Sequence, residues 1–568
     1  MARPEKIRLG DILVQQKLLT EEQLKHSLEE QKKTGRRLGH VLIEKKFITE
    51  EQISRALARQ LGAVYIDLKH YNFKRELVAK LPETQARRFR AMVLEDKGQS
   101  YTVAMADPTD LNAYDEITRL LKREIGLAVV TETELLRAID RSYRRTEQIS
   151  GLAQELGADM GDAVTADFGA LTTTPGAEEA PVVKLLQTVF EDATQARASD
   201  VHIEPQEKRL QIRFRIDGVL HLQTETDPKI ATAVVLRLKL MSGLDISEKR
   251  MPQDGRFAVK IRNVAVDVRI STMPTQYGES VVMRLLNQGS GMLGLDNIGI
   301  PAAMLAKIRE VIQRPSGMVL VTGPTGSGKT TTLYAALNEL NTTERKIITV
   351  EDPVEYRLPG INQVQINEKI ELTFDRVLRA ALRQDPDVVL VGEMRDEKTV
   401  ETGLRASMTG HMVFSTLHTN DASSTPVRLL DMGAPRYMVA LSLQLVIAQR
   451  LVRVICESCI EDYQPLPGEH EWLRSELGDE VDKQVYKHGR GCSYCNGTGY
   501  LGRTGVYEML EMTKPVVEAA NQPDVNLFIE VARQQLGKQT LRHHAAQLAA
   551  AGKTSPDEAM RISSQLAE

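Results

Sequence analysis

Met318-Val319-Leu320-Val321-Thr322 runs into Gly323-Pro324-Thr325-Gly326-Ser327-Gly328-Lys329-Thr330, and a helix is expected from Thr331 onward. An apolar strand, a G-x-x-x-x-G-K-T loop and a helix, in that order, are the context a phosphate-binding loop demands. Glycines let backbone N–H groups close on phosphate oxygens, and the helix N-terminus adds its partial positive charge. In this reading Lys329 contacts the β- and γ-phosphates and the Thr330 hydroxyl ligates Mg²⁺. The candidate ATP-binding residues are therefore Gly323, Pro324, Thr325, Gly326, Ser327, Gly328, Lys329, Thr330 and Thr331.

Working outward, Asp387-Val388-Val389-Leu390-Val391-Gly392-Glu393 is a second apolar strand that ends in an acid. Alone it is an ordinary strand; after a phosphate loop it suits an acid near the metal or its water. Between the two lies Ile348-Thr349-Val350-Glu351-Asp352-Pro353-Val354-Glu355-Tyr356. Three carboxylates at a strand end repel one another unless a cation or substrate compensates. One could be the general base for an attacking water; a solvated acidic turn is the equal alternative. His411 and His418 flank the strand Met412-Val413-Phe414-Ser415-Thr416-Leu417. An isolated histidine is usually structural, but two at this place could sense the γ-phosphate. Alternating strands and helices around these motifs indicate an α/β nucleotide-binding domain.

The four cysteines read Cys456-x-x-Cys459, then 32 residues, then Cys492-x-x-Cys495. Two such knuckles suit a closed tetrahedral Zn²⁺ site, which leaves no open position for catalysis; redox pairs are the weaker alternative. The chain of 568 residues suggests three or four domains. Its net charge of −4 and pI of about 6.3 lack the basic excess of a protein that wraps nucleic acid. No apolar window is long enough to span a bilayer, and Met1–Lys6 shows no secretory h-region. A cytosolic protein is expected.

The N-terminus contains a repeat. Residues 8–31 align with 37–60 at eleven identities in 24 positions, an offset of 29. Each unit opens on Arg-Leu-Gly (Arg8-Leu9-Gly10, Arg37-Leu38-Gly39) and closes on glutamine (Gln31, Gln60). Thr20 with Gln23 and Thr49 with Gln52 have capping-box spacing. Two units indicate a small helical domain with pseudo-symmetry. Residues 61–144 read as an α/β continuation with a strand over 100–106, and 146–178, rich in Gly, Ala, Thr and acid, as a flexible linker.

Further motifs carry a family resemblance over about residues 181–510. Ala198-Ser199-Asp200-Val201-His202-Ile203-Glu204-Pro205, Arg213-Phe214-Arg215-Ile216-Asp217-Gly218 and Pro252-Gln253-Asp254-Gly255-Arg256 resemble the first half of the type II/type IV secretion ATPase superfamily. Glu351–Glu355 resembles its Asp box and Thr416–Asn420 its His box. The resemblance implies a multidomain α/β chain: an N-terminal domain over 1–145, the linker, a PAS-like domain over 179–288, and a RecA-like P-loop ATPase domain over 289–568 with a zinc-binding insertion at 450–505. It implies ATP, Mg²⁺ and Zn²⁺ as cofactors. It also implies a cytoplasmic homohexamer, peripheral to the inner membrane through a platform protein of a pilus or secretion machine, with no nucleic-acid partner. Glu355 matches the family's general base, Glu393 its Walker B acid, and His411 and His418 its His box. Arg269 and Arg284 match arginines that neutralise the γ-phosphate when the lobes close. The tetracysteine site is typical of pilus-assembly and type II secretion ATPases, not of retraction ATPases.

The N-terminal repeat resembles the tandem cyclic-di-GMP-binding motif of MshE-type pilus-extension ATPases. The two-fold symmetry of that ligand suits a duplicated site. The resemblance implies that Arg8 and Arg37 pair with phosphates or guanine edges, that Gly10 and Gly39 admit the ligand to the backbone, and that Leu9, Leu13, Leu24, Leu38 and Leu42 contact its ring faces. Gln31 and Gln60 would bond base edges, and Asp107 would add a guanine contact. Lys17 and Lys46 stand where relatives often have Gly.

Overall fold

The computed structural model describes residues 9–34, 38–45, 47–69, 71–143, 181–261, 264–287 and 293–564. The expected linker, Arg8 and Arg37 lie outside the described residues.

The repeat forms four helices: α1 (Leu9–Gln15), α2 (Glu21–Thr34), α3 (Leu38–Glu44) and α4 (Glu50–Leu61). Both capping boxes form. The amide of Gln23 donates to Thr20 Oγ1 at 3.2 Å while that of Thr20 donates to Gln23 Oε1 at 3.0 Å. The Thr49–Gln52 pair repeats this at 3.3 and 2.9 Å. Equivalent positions of the two units, Leu13 with Leu42 and Leu19 with Ile48, meet in one small core. Lys17 closes the first turn in the left-handed region at φ 57°, a conformation that costs an L-residue about 1–2 kcal/mol.

A four-stranded sheet follows: β1 (Val64–Tyr65), β2 (Ala91–Asp96), β3 (Ser100–Met105) and β4 (Glu124–Val129), in the order β1-β4-β3-β2. Helix α4 docks on it. Glu50 accepts from Thr133 N at 3.0 Å and from Thr133 Oγ1 at 2.6 Å.

The middle sheet is antiparallel: β5 (Ala198–Pro205), β6 (Leu210–Ile216), β7 (Val219–Thr226), β8 (Gln253–Ile261), β9 (Val264–Thr275) and β10 (Gly278–Asn287), ordered β7-β6-β5-β10-β9-β8. The helices Pro181–Gln195 and Ala231–Ser242 share its core.

The last sheet has seven strands: β11 (Gly317–Thr322), β12 (Ile347–Glu351), β13 (Asn362–Gln365), β14 (Val388–Val391), β15 (Met412–Leu417), β16 (Leu443–Ile455) and, after the two-strand ribbon β17 (Ile460–Tyr463) and β18 (Tyr486–Gly489), β19 (Tyr500–Glu511). Their order is β13-β12-β14-β15-β11-β16-β19, parallel except for β19. Every residue of β11 is buried. Met318 and Leu320 join the core on one face, Val319 and Val321 the core on the other. That is the signature of a parallel sheet covered by helices on both sides. In such sheets the crevice at the carboxyl ends of the strands holds the ligand.

Candidate functional site

The loop after β11 is held by glycine geometry and by β16. Gly326 and Gly328 have φ of 82° and 88°. A Cβ on Gly328 would lie 2.8 Å from Gln449 Nε2, and one on Gly323 2.5 Å from Gln449 O. Gln449 clamps the loop: its Nε2 donates to Ser327 O at 2.8 Å, and its Oε1 accepts from Thr332 Oγ1 at 2.7 Å. The helix Lys329–Leu340 starts two residues earlier than its sequence suggests, because Gly328 already caps it. Among the described residues Ser327 Oγ is buried without a protein partner, as suits a loop built around phosphate oxygens.

Three side chains converge beside this loop. Lys329 Nζ donates to Gly323 O at 2.7 Å and approaches His418 Nδ1 at 3.5 Å. His418 Nε2 lies 3.5 Å from Glu393 Oε2. Burial pulls the Lys329 ammonium down to about 8, against the opposing pull of the Glu393 carboxylate, and Arg450 adds to the lowering. Arg395 pairs with Glu393 and reaches Asp352 at 3.4 Å. Arg395 and Gln449 come to the site from outside the sequence motifs.

The acidic turn after β12 resolves into distinct environments. Glu351 is buried and accepts from the Tyr334 hydroxyl, from Thr349 Oγ1 at 2.5 Å and from Gln363 Nε2 at 3.3 Å. Glu355 faces the middle sheet, where Arg269 Nη1 donates to its Oε2 at 3.0 Å and Arg269 Nη2 to Val354 O. The Glu355 amide donates to Tyr334 Oη at 3.4 Å, tying this turn to the phosphate-loop helix. Burial pulls the Arg269 guanidinium down, and Glu355 opposes that shift. Arg256, Arg269 and Arg284 stand opposite one another on β8, β9 and β10. Like charges so aligned repel, and each has its own partner: Gln365 at 3.2 Å, Glu355, and Asp200 at 3.0 Å. Arg256, Arg269 and Glu355 line a cleft of about 870 Å³ between the middle and last sheets.

Two candidates sit elsewhere. His411 does not join His418. It precedes β15 at the far end, beside Gly317, and its Nδ1 lies 3.0 Å from Ala406 O. Seven residues of extended chain, roughly 20 Å, separate the two histidines. Arg284 stays on Asp200 and does not reach Glu355.

All four cysteines are buried, with Sγ separations of 3.9 Å (Cys456–Cys492), 3.8 Å (Cys459–Cys495) and 3.7 Å (Cys492–Cys495). A Zn–S length of about 2.3 Å requires tetrahedron edges of about 3.8 Å, so the cluster fits that ion. The amides of Cys492 and Gly499 each donate to Cys495 Sγ at 3.2 Å, the charge-assisted contacts of a thiolate.

The N-terminal candidates divide between the core and the surface. Leu13 and Leu42 are 0% exposed, locked in the core of the repeat, so they pack helices and cannot meet a ligand's ring faces. Gly10 has a packing reason: a Cβ there would lie 2.8 Å from Leu24 Cδ1. Leu24, Leu38, Gly39, Gln31 and Gln60 are half-buried; the Leu9 side chain lies outside the described residues. Asp107 Oδ1 accepts from Thr109 N at 3.1 Å and Thr109 Oγ1 at 2.5 Å, closing a turn. No helix among the described residues is long and apolar enough to cross a membrane.

The profile of the family described as "Type II/IV secretion system protein" matches residues 176–561, and that of the MshEN domain matches 61–149, which begins after the duplicated unit. The chain is 40% identical over 509 residues to the type IV pilus assembly ATPase PilB of Myxococcus xanthus, covering 89% of each chain. It is 41% identical over 481 residues to the type II secretion system ATPase E of Vibrio cholerae, covering 83% of this chain and 92% of that one. The ATPase DotB of Legionella pneumophila shares the fold, with a TM-score of 0.50 and 21% identity over 67% of this chain and 96% of that chain.

Proposed function

The chain belongs to the type II/IV secretion system protein family, and from that premise we propose that it is the cytoplasmic motor of a type IV pilus assembly machine, regulated by cyclic-di-GMP. Its enzymatic activity is the ATPase activity of that family. The observation that carries the motor reading is the convergence of Lys329, His418 and Glu393 at the phosphate loop, with Glu355 held from the middle domain by Arg269.

In this reading Gly323–Thr331 cradle the triphosphate. The Thr330 hydroxyl and, through water, Glu393 would hold Mg²⁺, whose charge offsets that of the phosphate oxygens. Glu355 takes the proton of the attacking water. Arg269 exchanges Glu355 for the γ-phosphate as the cleft closes, which frees the base and neutralises developing charge in one movement. Arg256 and Arg284, aligned with it, extend the positive row. His418 reports on the γ-phosphate to Glu393. The four cysteines hold a structural Zn²⁺, and six chains form a ring on an inner-membrane platform protein.

Support for cyclic-di-GMP is the duplicated Arg-Leu-Gly…Gln unit followed by the MshEN match. With Leu13 and Leu42 assigned to the core, the contacts fall to Arg8, Arg37, Gln31, Gln60 and the half-buried Leu24 and Leu38. Calorimetry on the full chain is expected to give one ligand per chain. Arg8→Ala or Arg37→Ala should each weaken binding about 10- to 100-fold, as for a lost charge-assisted hydrogen bond. Absence of heat at tens of micromolar would remove the signalling role and leave the motor reading intact. A type II secretion ATPase is the second reading, favoured by relatives of equal identity.

A further inference from the structure

The N-terminal domain touches the cysteine knuckles. Phe73 N donates to Ser493 Oγ at 3.0 Å, Ser493 N donates to Asn72 Oδ1 at 3.3 Å, and Ser458 Oγ donates to Lys69 O at 3.2 Å. Each contact joins positions about four hundred residues apart in sequence. Both sides are stiff. Phe73 is buried in the N-terminal core, and Tyr71 is anchored by its hydroxyl to Leu94 O at 3.4 Å. Ser458 lies within one two-cysteine turn and Ser493 within the other, each closed by its own backbone bonds: Cys459 N to Cys456 O at 3.1 Å, and Gly497 N to Cys492 O at 2.8 Å.

The knuckles are also the outer end of the clamp on the phosphate loop. Strand β16 carries Gln449, which grips Ser327 and Thr332, and runs on to Cys456. Beside them on β19, Gly502 N donates to Asp217 Oδ2 of the middle domain at 2.9 Å. All three parts of the chain therefore meet at this cluster.

We propose that the tetracysteine knuckle is the docking platform for the chain's own N-terminal domain: Lys69, Asn72 and Phe73 seat on Ser458 and Ser493. Movement of the N-terminal domain then pulls on β16 and β19, and through Gln449 on the phosphate loop. This attachment bypasses the segment between the N-terminal and middle domains and is independent of which ligand the N-terminal repeat takes.

The test uses the full-length protein with p-benzoylphenylalanine in place of Lys69, whose backbone carbonyl rather than side chain makes the contact. Irradiation should give cross-links to peptides containing Ser458 or Ser493 of the same chain. Cross-links confined to other surfaces, or formed only between differently tagged chains, would overturn the proposal. Asn72→Arg is the second arm, because Asn72 is exposed and remote from the nucleotide. Hydrogen exchange at Phe73 and at Ser493 should rise about tenfold in that variant, with the zinc content unchanged. Exchange that stays at the wild-type rate at both positions would refute the docking even if the cysteine site proves metal-bound.

Discussion

Glu355→Gln is expected to leave ATP bound and to lower its turnover about 10²- to 10⁴-fold, the usual worth of a positioned general base. The amide keeps the shape of the carboxylate and loses its basicity, so nucleotide affinity should stay within a few-fold of wild type. The ion pair with Arg269 adds a second signature. Glutamine cannot hold the guanidinium as a charged partner, so the cleft between middle and last sheets should be easier to rearrange once nucleotide is present. Stopped turnover with retained binding of a fluorescent ATP analogue is the expected pair of readings. A Glu355→Gln protein that hydrolyses ATP at the wild-type rate would move the base to another carboxylate, and Glu351 is a poor substitute. It is buried and already accepts hydrogen bonds from Tyr334, Thr349 and Gln363.

Cys492→Ser should reduce bound zinc from one equivalent per chain to a small fraction of that. Structural zinc contributes about 10–16 kcal/mol of apparent binding free energy in small domains, and a serine oxygen is a poor ligand for a site of three remaining thiolates. The damage should appear first in the knuckles and then in the last residues of β16, since Cys456 N is bonded to Gly499 O at 2.9 Å. Metal analysis by mass spectrometry and hydrogen exchange over 455–500 read both effects. Full zinc occupancy in the serine variant would place the metal elsewhere. ATP affinity should change less than local stability, because the phosphate loop keeps its own glycine geometry and its bonds to Gln449.

The local parts of this architecture were legible in the sequence, and the relational parts were not. The strand, glycine loop and helix around Lys329 are contiguous, and the two cysteine pairs declare their ligand chemistry by residue type and spacing alone. The capping boxes at Thr20 and Thr49 likewise lie within four consecutive residues each. Arg256 joins Arg269 and Arg284 only through cross-strand register, which requires the pairing of three separate strands. Gln449 lies more than a hundred residues beyond the loop it grips. A signal for it existed: Gln449-Arg450 breaks off the apolar run Leu445–Ala448 in a strand that also feeds the core, and buried polar groups need partners.

His411 and His418 flank one strand, but the ends of an extended six-residue strand are far apart, and His418 is the one at the phosphate loop. The motif resemblance implies ligand contact for Leu13 and Leu42, yet both are buried in the core of the repeat. A helical unit of about fifty residues has so little interior that its equivalent leucines are needed for the core itself. Gly10 follows the same logic, since Leu24 occupies the space a side chain would need.

The central claim is that this chain hydrolyses ATP at the loop carrying Lys329. The most direct measurement is phosphate release by the purified full-length protein, with Mg²⁺ and with excess EDTA, beside Lys329→Ala at equal concentration. Steady release that requires Mg²⁺ and disappears in Lys329→Ala, together with its ATP binding, is the predicted result. Release that persists in Lys329→Ala, or that proceeds unchanged in EDTA, would contradict the account.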